Sequence, residues 1–293
     1  MSKSRRSCLA VPGSSAKMLA KAQQLDADEV VIDLEDAVTH DRKDEARATA
    51  AEAIRDGDWG DRSVAVRVNA LATEWGERDV AGLARDAGPR LGSLVVPKAE
   101  SADQMLAVDG LLGEHDAGLQ ALIETAAGLS AVREIAAATP RLETLIIGYA
   151  DLAASLLRPL KADYPGDRWH WVRETVLVAA RTAGIQAIDG PQLEIADIDG
   201  LRVEAERTRA LGFDGKWAVH PSQIDPINEV FSPRQEEVDR AGAMLAALDR
   251  AEAEGGRGAV MLDGEMLDEV HRKLALEVLA RGEAAGLSPQ AGM

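Results

Sequence analysis

Six residues of strong chemical character stand at one kind of place in this chain, the carboxyl end of a short apolar run. Glu35 and Asp36 close EVVIDLED, Arg67 lies near the end of SVAVRVN, Lys98 closes GSLVVPK, Glu124 nearly closes LQALIET, and Asp151 closes TLIIGYAD. Three further runs end on Pro12-Gly13, on Asp189 and on His220-Pro221. Glu124 and Asp151 end consecutive runs. Two carboxylates without a His or Cys companion suit a hard divalent cation that keeps much of its water shell, Mg²⁺ with Mn²⁺ as a substitute, rather than zinc. By position alone the same two acids serve equally well in salt bridges or as helix N-caps. Arg67 offers a fixed fork for a ligand carboxylate. Pairing with Glu35 or Asp36 competes with that role, and both can hold at once. Glu35 and Asp36 read as acceptors for metal-bound water or as orienters of Arg67. Lys98 could form a Schiff base, touch phosphate or pair with Glu100; the nearby acids oppose the lowered pKa that a Schiff base needs. His220 is the one histidine on a strand end, a base or a hydrogen-bonded structural imidazole. Asp189 reads as a turn or cap acid, and Asp268 in GEMLD as an acid in the first turn of a solvated helix.

The elements that must carry these residues follow from the runs themselves. Each is four to six β-prone apolar residues without helical period, as in strands buried on both faces. Helical patterns fall at 14–27, 41–56, 101–113, 126–138, 170–183, 199–211, 235–254 and 265–282, with Ser14 and Ser101 as N-caps. Strands and helices in alternation predict a (β/α)8 TIM barrel over 1–232, whose site lies at the carboxyl ends of its strands. Gly128, early in a helix, is a place for close approach. The composition of 158–168 makes it a loop bordering the site. Residues 233–293 exceed what a closed barrel needs and read as a C-terminal helical extension, a lid, an oligomerisation arm or both, broken by GGRG at 255–258.

Composition excludes several partners. Among 293 residues, 33 Lys and Arg face 50 Asp and Glu, a net charge of −17, so nucleic acid and anionic membranes are disfavoured. Aromatic residues are 3%, too few for base-stacking platforms. The single cysteine, Cys8, cannot form an intramolecular disulfide and reads as a buried thiol. The segment before Pro12 is basic and too short in apolar residues for a secretory signal, and no segment approaches a membrane span, which together imply a cytoplasmic protein. GxGxxG, Walker A, CxxC and HExxH are absent from the sequence, which counts against hydride transfer with nucleotides and against zinc.

Taken together, VPGSSAKMLAKA, VVIDLEDAV, VRVN, VVPKAES, IETAAG, GYADLAASL, AIDG, AVHPSQI and GEMLD, in this order and spacing, resemble the citrate lyase beta-subunit-like branch of the HpcH/HpaI aldolase superfamily over about residues 5–275. The resemblance implies a barrel with a C-terminal extension, assembled as a homotrimer or a trimer-based hexamer. It implies a Mg²⁺-dependent carbon–carbon lyase acting on a malyl-, methylmalyl-, citramalyl- or citryl-CoA thioester to give acetyl- or propionyl-CoA and a 2-oxo acid, with thioesterase activity in some members. Carried over, Glu124 and Asp151 match the metal ligands, Arg67 the carboxylate-binding arginine, and Asp36 a water-holding acid. Asp268 matches an acid that a neighbouring subunit delivers over the site. Pro12-Gly13 and His220-Pro221 look like walls of the CoA channel, and Glu35 and Lys98 fall in the substrate pocket. Two departures put the substrate in question: Glu269-Val270 follows Asp268 where the family usually has a proline close behind, and DRWHWVRE at 167–174 replaces a more ordinary helix. The alternatives are a CoA-independent 4-hydroxy-2-oxo acid aldolase, which shares barrel, metal and arginine, and a non-catalytic subunit docking an acyl carrier protein, which the charge of −17 disfavours.

Overall fold

A computed structural model describes residues 3–159, 166–255 and 259–290. Eight parallel strands close in sequence order: β1 Ser7–Pro12, β2 Glu29–Asp33, β3 Ser63–Arg67, β4 Ser93–Val96, β5 Gly118–Ile123, β6 Leu142–Ile147, β7 Gln186–Asp189 and β8 Gly215–Ala218. This is a (β/α)8 barrel. The helices are α1 Ala16–Ala22, α2 Lys43–Asp56, α3 Gly76–Asp86, α4 Ala102–Leu112, α5 Ala126–Ser130, α6 Val132–Ala136, α7 Tyr149–Ser155, α8 His170–Ala183, α9 Ile198–Leu211, α10 Ile224–Phe231, α11 Gln235–Ala253 and α12 Glu269–Ala284.

All eight runs read as strands are strands, because their β-branched residues are buried on both faces. One residue from each strand, Cys8, Val31, Ala65, Val95, Leu122, Ile146, Ile188 and Trp217, builds an apolar layer. Cys8 is buried, and burial pushes its thiol well above the ordinary range. Toward the amino ends of the strands, Arg5 lies buried against Glu29 at 2.8 Å, and Gln120 donates to Glu29, a polar layer that the strand patterns did not announce. A cavity of about 620 Å³, lined by Lys3, Arg5, Glu143 and Gln186 among others, opens at that end and is remote from the strand carboxyl ends.

Several helix boundaries differ from expectation. Ser15, not Ser14, caps α1 by accepting from Met18 N. The helix expected over 126–138 is two, α5 and α6, meeting at Ala131. Gly128 does permit a close approach, because a Cβ there would lie 2.2 Å from Ala99 O. The helices α3, α7 and α10 were not anticipated. The loop expected over 158–168 lies outside the described residues at 160–165, as does 256–258 of GGRG.

The chain divides into two compact units, Met1–Asn228 and Glu229–Met293. In the second, β9 Val260–Leu262 and β10 Glu265–Leu267 form an antiparallel hairpin across Asp263-Gly264, both with positive φ. Asp-Gly is the pair such a two-residue turn selects. Residues 265–267 are therefore strand, and α12 begins only at Glu269. Among the described residues no helix is long and apolar enough to cross a membrane.

Candidate active site

The ends of β2 and β3 lie in register, Asp33 opposite Arg67. The pair closes a two-point contact: Arg67 Nε donates to Asp33 Oδ1 at 2.8 Å and Nη2 to Asp33 Oδ2 at 2.7 Å. Asp33 also accepts from the backbone N–H of Glu35 and Ala37, at 2.8 and 3.0 Å, which bends the chain back at the LED segment. Burial opposes the Asp33 charge, but these donors, Arg67 foremost, hold its carboxyl below the usual range. Sequence reasoning missed Asp33 as the partner of Arg67. The expected pairings with Glu35 and Asp36 also form, through Nη1 at 3.2 Å to each. All three Arg67 nitrogens thus face acids, Nη1 at the longest distances, and its guanidinium carbon lies 5.8 Å from the Trp217 ring centroid.

Lys98 has a left-handed backbone, φ 47°, uncommon for a residue with a side chain. That conformation aims its N–H at Glu124 Oε1, 2.9 Å away. Its ammonium sits 2.5 Å from Glu35 Oε1 and 3.9 Å from both Glu124 Oε1 and Asp151 Oδ1. Glu100, the partner weighed from sequence, gives way to these three. Burial would lower the Lys98 pKa, but Glu35, then Glu124 and Asp151, raise it above normal, so a neutral Schiff-base lysine does not fit.

Glu124, at the end of β5, is 2% exposed along its side chain. Burial first, then the charge of Glu35, pushes its carboxyl up to about 8, against the pull of the Lys98 N–H and ammonium. Asp151, in the first turn of α7, is 41% exposed and faces the same ammonium. Gly148 makes room: a Cβ there would lie 2.6 Å from both Cβ and Oε2 of Glu124.

These contacts test the fit of a metal. Asp33, Glu35, Asp36, Glu124 and Asp151 are five acids against three cations, Arg67, Lys98 and the buried Lys43. Glu35 Oε2 is buried without a hydrogen bond, since the nearby Nη1 of Arg67 is not aligned with it. Glu124, just after β5, and Asp151, in α7 just after β6, each reach to 3.9 Å from the Lys98 ammonium, with oxygen donors only. Surplus negative charge, an orphaned carboxylate oxygen and two hard ligands fit a divalent cation completed by water. Among the described residues no group of three or more His, Cys, Asp or Glu is placed to hold a metal ion by itself.

The remaining residues are placed as follows. Gly13 N donates to Asp33 O at 2.8 Å, and a Cβ there would meet Leu34 Cδ2 at 2.7 Å, so Pro12-Gly13 packs directly on the end of β2. His220 is exposed and caps a turn at Pro221–Gln223, its Nδ1 accepting from Ser222 N at 3.1 Å. Asp189 is neither turn nor cap. It is fully buried, bound to Lys216 Nζ at 2.5 Å and to the Tyr149 hydroxyl, with Arg173 alongside at 3.7 Å. Its run ends on the helix-facing side of the barrel wall, which a residue-by-residue reading of AIDG could not reveal. In DRWHWVRE, Trp169 lies 5.1 Å from Tyr149, with the guanidinium carbons of Arg158 and Arg168 5.2 and 5.1 Å from its ring centroid, while Trp171 is exposed. Asp268 belongs to the second unit. It caps α12, accepting from Val270 N at 3.0 Å and meeting His271 Nδ1 at 2.7 Å.

A closed eight-stranded parallel barrel with its charged side chains gathered at the strand carboxyl ends is the (β/α)8 class of protein with a polar site at the barrel mouth. Within that class, the HpcH/HpaI aldolase/citrate lyase family matches residues 6–221, and this chain belongs to it. It is 36% identical over 297 residues to an L-malyl-CoA/beta-methylmalyl-CoA lyase of Rhodobacter capsulatus, covering 94% of this chain and 93% of the relative. It is 40% identical over 283 residues to a (3S)-malyl-CoA thioesterase of Cereibacter sphaeroides, covering 95% of each. Among solved structures it resembles the protein CitE from Mycobacterium tuberculosis in complex with magnesium, acetoacetate and coenzyme A, with a TM-score of 0.77 and 34% identity over 94% of this chain and 97% of that one.

Proposed function

We propose that this protein is a Mg²⁺-dependent carbon–carbon lyase acting on a CoA thioester of a 3-hydroxy dicarboxylic acid of the malyl-, methylmalyl-, citramalyl- or citryl-CoA type, with hydrolysis of the thioester as a second outcome at the same site. The observation that carries the reading is that Glu124 and Asp151 meet at the Lys98 ammonium, which Glu35 links to the Arg67 fork. Glu124 and Asp151 would hold the ion, which when bound supplies Lewis acidity to an oxygen of the 2-oxo acid portion. Arg67 Nη1 grips the free carboxylate of that portion, while Asp33 fixes the other edge of the guanidinium. Lys98 and Glu35 form one wall of the pocket, and Asp36, half exposed, holds water at its rim. Pro12-Gly13 and His220-Pro221 line the CoA channel. Cleavage breaks the bond between the hydroxyl-bearing carbon and the carbon next to the thioester; the hydroxyl loses its proton, and the thioester enolate gains one at carbon. Asp268 carries that proton: the His271 ring holds its carboxyl below the usual range, so at rest it is an acceptor that takes a proton from the methyl of acetyl-CoA in the condensation direction, and in cleavage it first receives the proton released by the hydroxyl and then gives it to carbon.

The test is incubation with malyl-, methylmalyl-, citramalyl- and citryl-CoA, with mass spectrometry of the products. At least one thioester should yield a 2-oxo acid and acetyl- or propionyl-CoA with Mg²⁺ and nothing in EDTA. Cleavage of free 4-hydroxy-2-oxo acids alone would replace this reading with the CoA-independent aldolase.

The protein works in the cytoplasm as a homotrimer or hexamer in which Asp268 of one chain serves the barrel of the next. Arg67→Ala and Asp268→Asn, each near-inactive, should recover roughly a quarter of wild-type activity when co-assembled in random closed rings, because a quarter of shared sites carry neither lesion. Mixed oligomers that stay inactive would mean that each chain completes its own site.

A further inference from the structure

Lys43, in the first turn of α2, is 4% exposed, an uncommon place for an ammonium. It has three protons and three acceptors: Leu34 O at 2.8 Å, Glu35 O at 2.6 Å and Asn69 Oδ1 at 2.6 Å. Asn69 is buried too, and gives its backbone N–H and its Nδ2 to Asp79 Oδ2, at 2.9 and 2.6 Å. Asp79, fully buried on α3, is held from its other oxygen by Arg47 Nε of α2 at 2.7 Å. Indole closes the outside, with the Lys43 ammonium 5.8 Å from the Trp75 ring centroid.

The chain segments tied by this ammonium are specific. Leu34 and Glu35 follow directly on Asp33 and precede Asp36; Asn69 lies two residues after Arg67. A buried ion network contributes little to stability over well-packed apolar side chains, because desolvation offsets its attraction. Its distinctive effect is geometric: it sets where two backbone segments stand relative to each other. Here those segments carry the acids and the guanidinium of the barrel mouth, and Glu35 in turn holds Lys98.

We infer that Lys43, acting through Asn69 and Asp79, is a positioning residue that sets the separation of the Glu35-Asp36 segment from Arg67 and so tunes the grip on the 2-oxo acid carboxylate. The inference rests on the proposed lyase reading for its ligand, and on geometry alone for its placement of the two segments.

The experiment has two arms on the full-length protein. In Lys43→Met, hydrogen–deuterium exchange should speed at least tenfold at the amides of 34–38 and 68–69, and stay unchanged at 122–124. In Mg²⁺, calorimetric affinity for whichever of glyoxylate or pyruvate the wild type binds should fall at least tenfold, with coenzyme A affinity within twofold. Ile135→Ala, a core deletion on α6, lowers the melting temperature without touching either segment and should reproduce neither effect. The double variant Lys43→Met with Arg67→Lys should bind the 2-oxo acid no more weakly than Arg67→Lys alone, since both act on one contact. Unchanged exchange at 34–38 and 68–69 overturns the inference; so does faster exchange with intact 2-oxo acid affinity, or losses that multiply in the double variant. A wild type that binds no 2-oxo acid and no CoA sinks the lyase reading instead, and the exchange arm still decides the placement. If Lys43→Met does not fold, Asn69→Ala removes one acceptor, leaves the ammonium in place and carries the same test.

Discussion

Glu124→Gln should abolish turnover at ordinary Mg²⁺ concentrations and weaken Mg²⁺ or Mn²⁺ binding by about 100-fold or more, since loss of even an outer partner of a ligand costs about 10–100-fold. The isostere keeps the volume and can still accept from Lys98 N, so the fold should survive. A pH signature accompanies it. The native Glu124 carboxyl titrates at about 8 against an ordinary 4.5. In chelator the folded chain therefore holds a proton that the unfolded chain has already lost, and stability falls as pH rises from about 4.5 to about 8, by up to roughly 1.4 kcal/mol per pH unit. Above that range the contribution is gone and the curve flattens. Mg²⁺ should remove the slope, its affinity should rise with pH over the same window, and Glu124→Gln should remove both dependences. Melting temperatures measured from pH 5 to 9, with EDTA or Mg²⁺, decide the matter; full activity in excess chelator would sink the metal assignment.

Arg67→Lys should lower kcat/KM by about 2–4 kcal/mol, roughly 30- to 1,000-fold, by keeping a charge while losing the fork. The structure sharpens what to look for. Two of the three guanidinium nitrogens are committed to Asp33, so a lysine has to choose between holding Asp33 and meeting a ligand. Arg67→Ala goes further and strands a buried carboxylate at Asp33, which costs about 3–5 kcal/mol of stability in comparable buried pairs. Asp33→Asn leaves Arg67 charged but loosely held, and should raise KM for the substrate more than it lowers the melting temperature. Variants at Arg67 and Asp33 that lose stability in parallel and leave kcat/KM unchanged would make this pair purely structural.

The eight strands were legible in the amino-acid order alone, because a strand buried on both faces must be a short uninterrupted apolar run, and that signal is local. Most of the candidate site was legible for the same reason: in a parallel barrel every strand end points to one rim, so listing strand ends brings Glu35, Asp36, Arg67, Lys98, Glu124 and Asp151 together without coordinates. Helix boundaries were less legible. α3 was passed over although Val80 and Leu83 stand at helical spacing in it, whereas α7 and α10 are only seven and eight residues long, too short for a clear period. Partnerships between side chains came from the folded arrangement. Asp33 meets Arg67 because β2 and β3 pair in one particular register, a property of two strands and not of either. Lys98 faces three acids because a left-handed residue turns it inward. Asp189 faces the helices through the inside–outside alternation of β7. The burial of Lys43 arises where α2 and α3 cover the ends of two strands far apart in sequence. Burial and pairing strengths depend on distance in space, and these residues, 26 to 63 positions apart along the chain, acquire that distance only when the barrel closes.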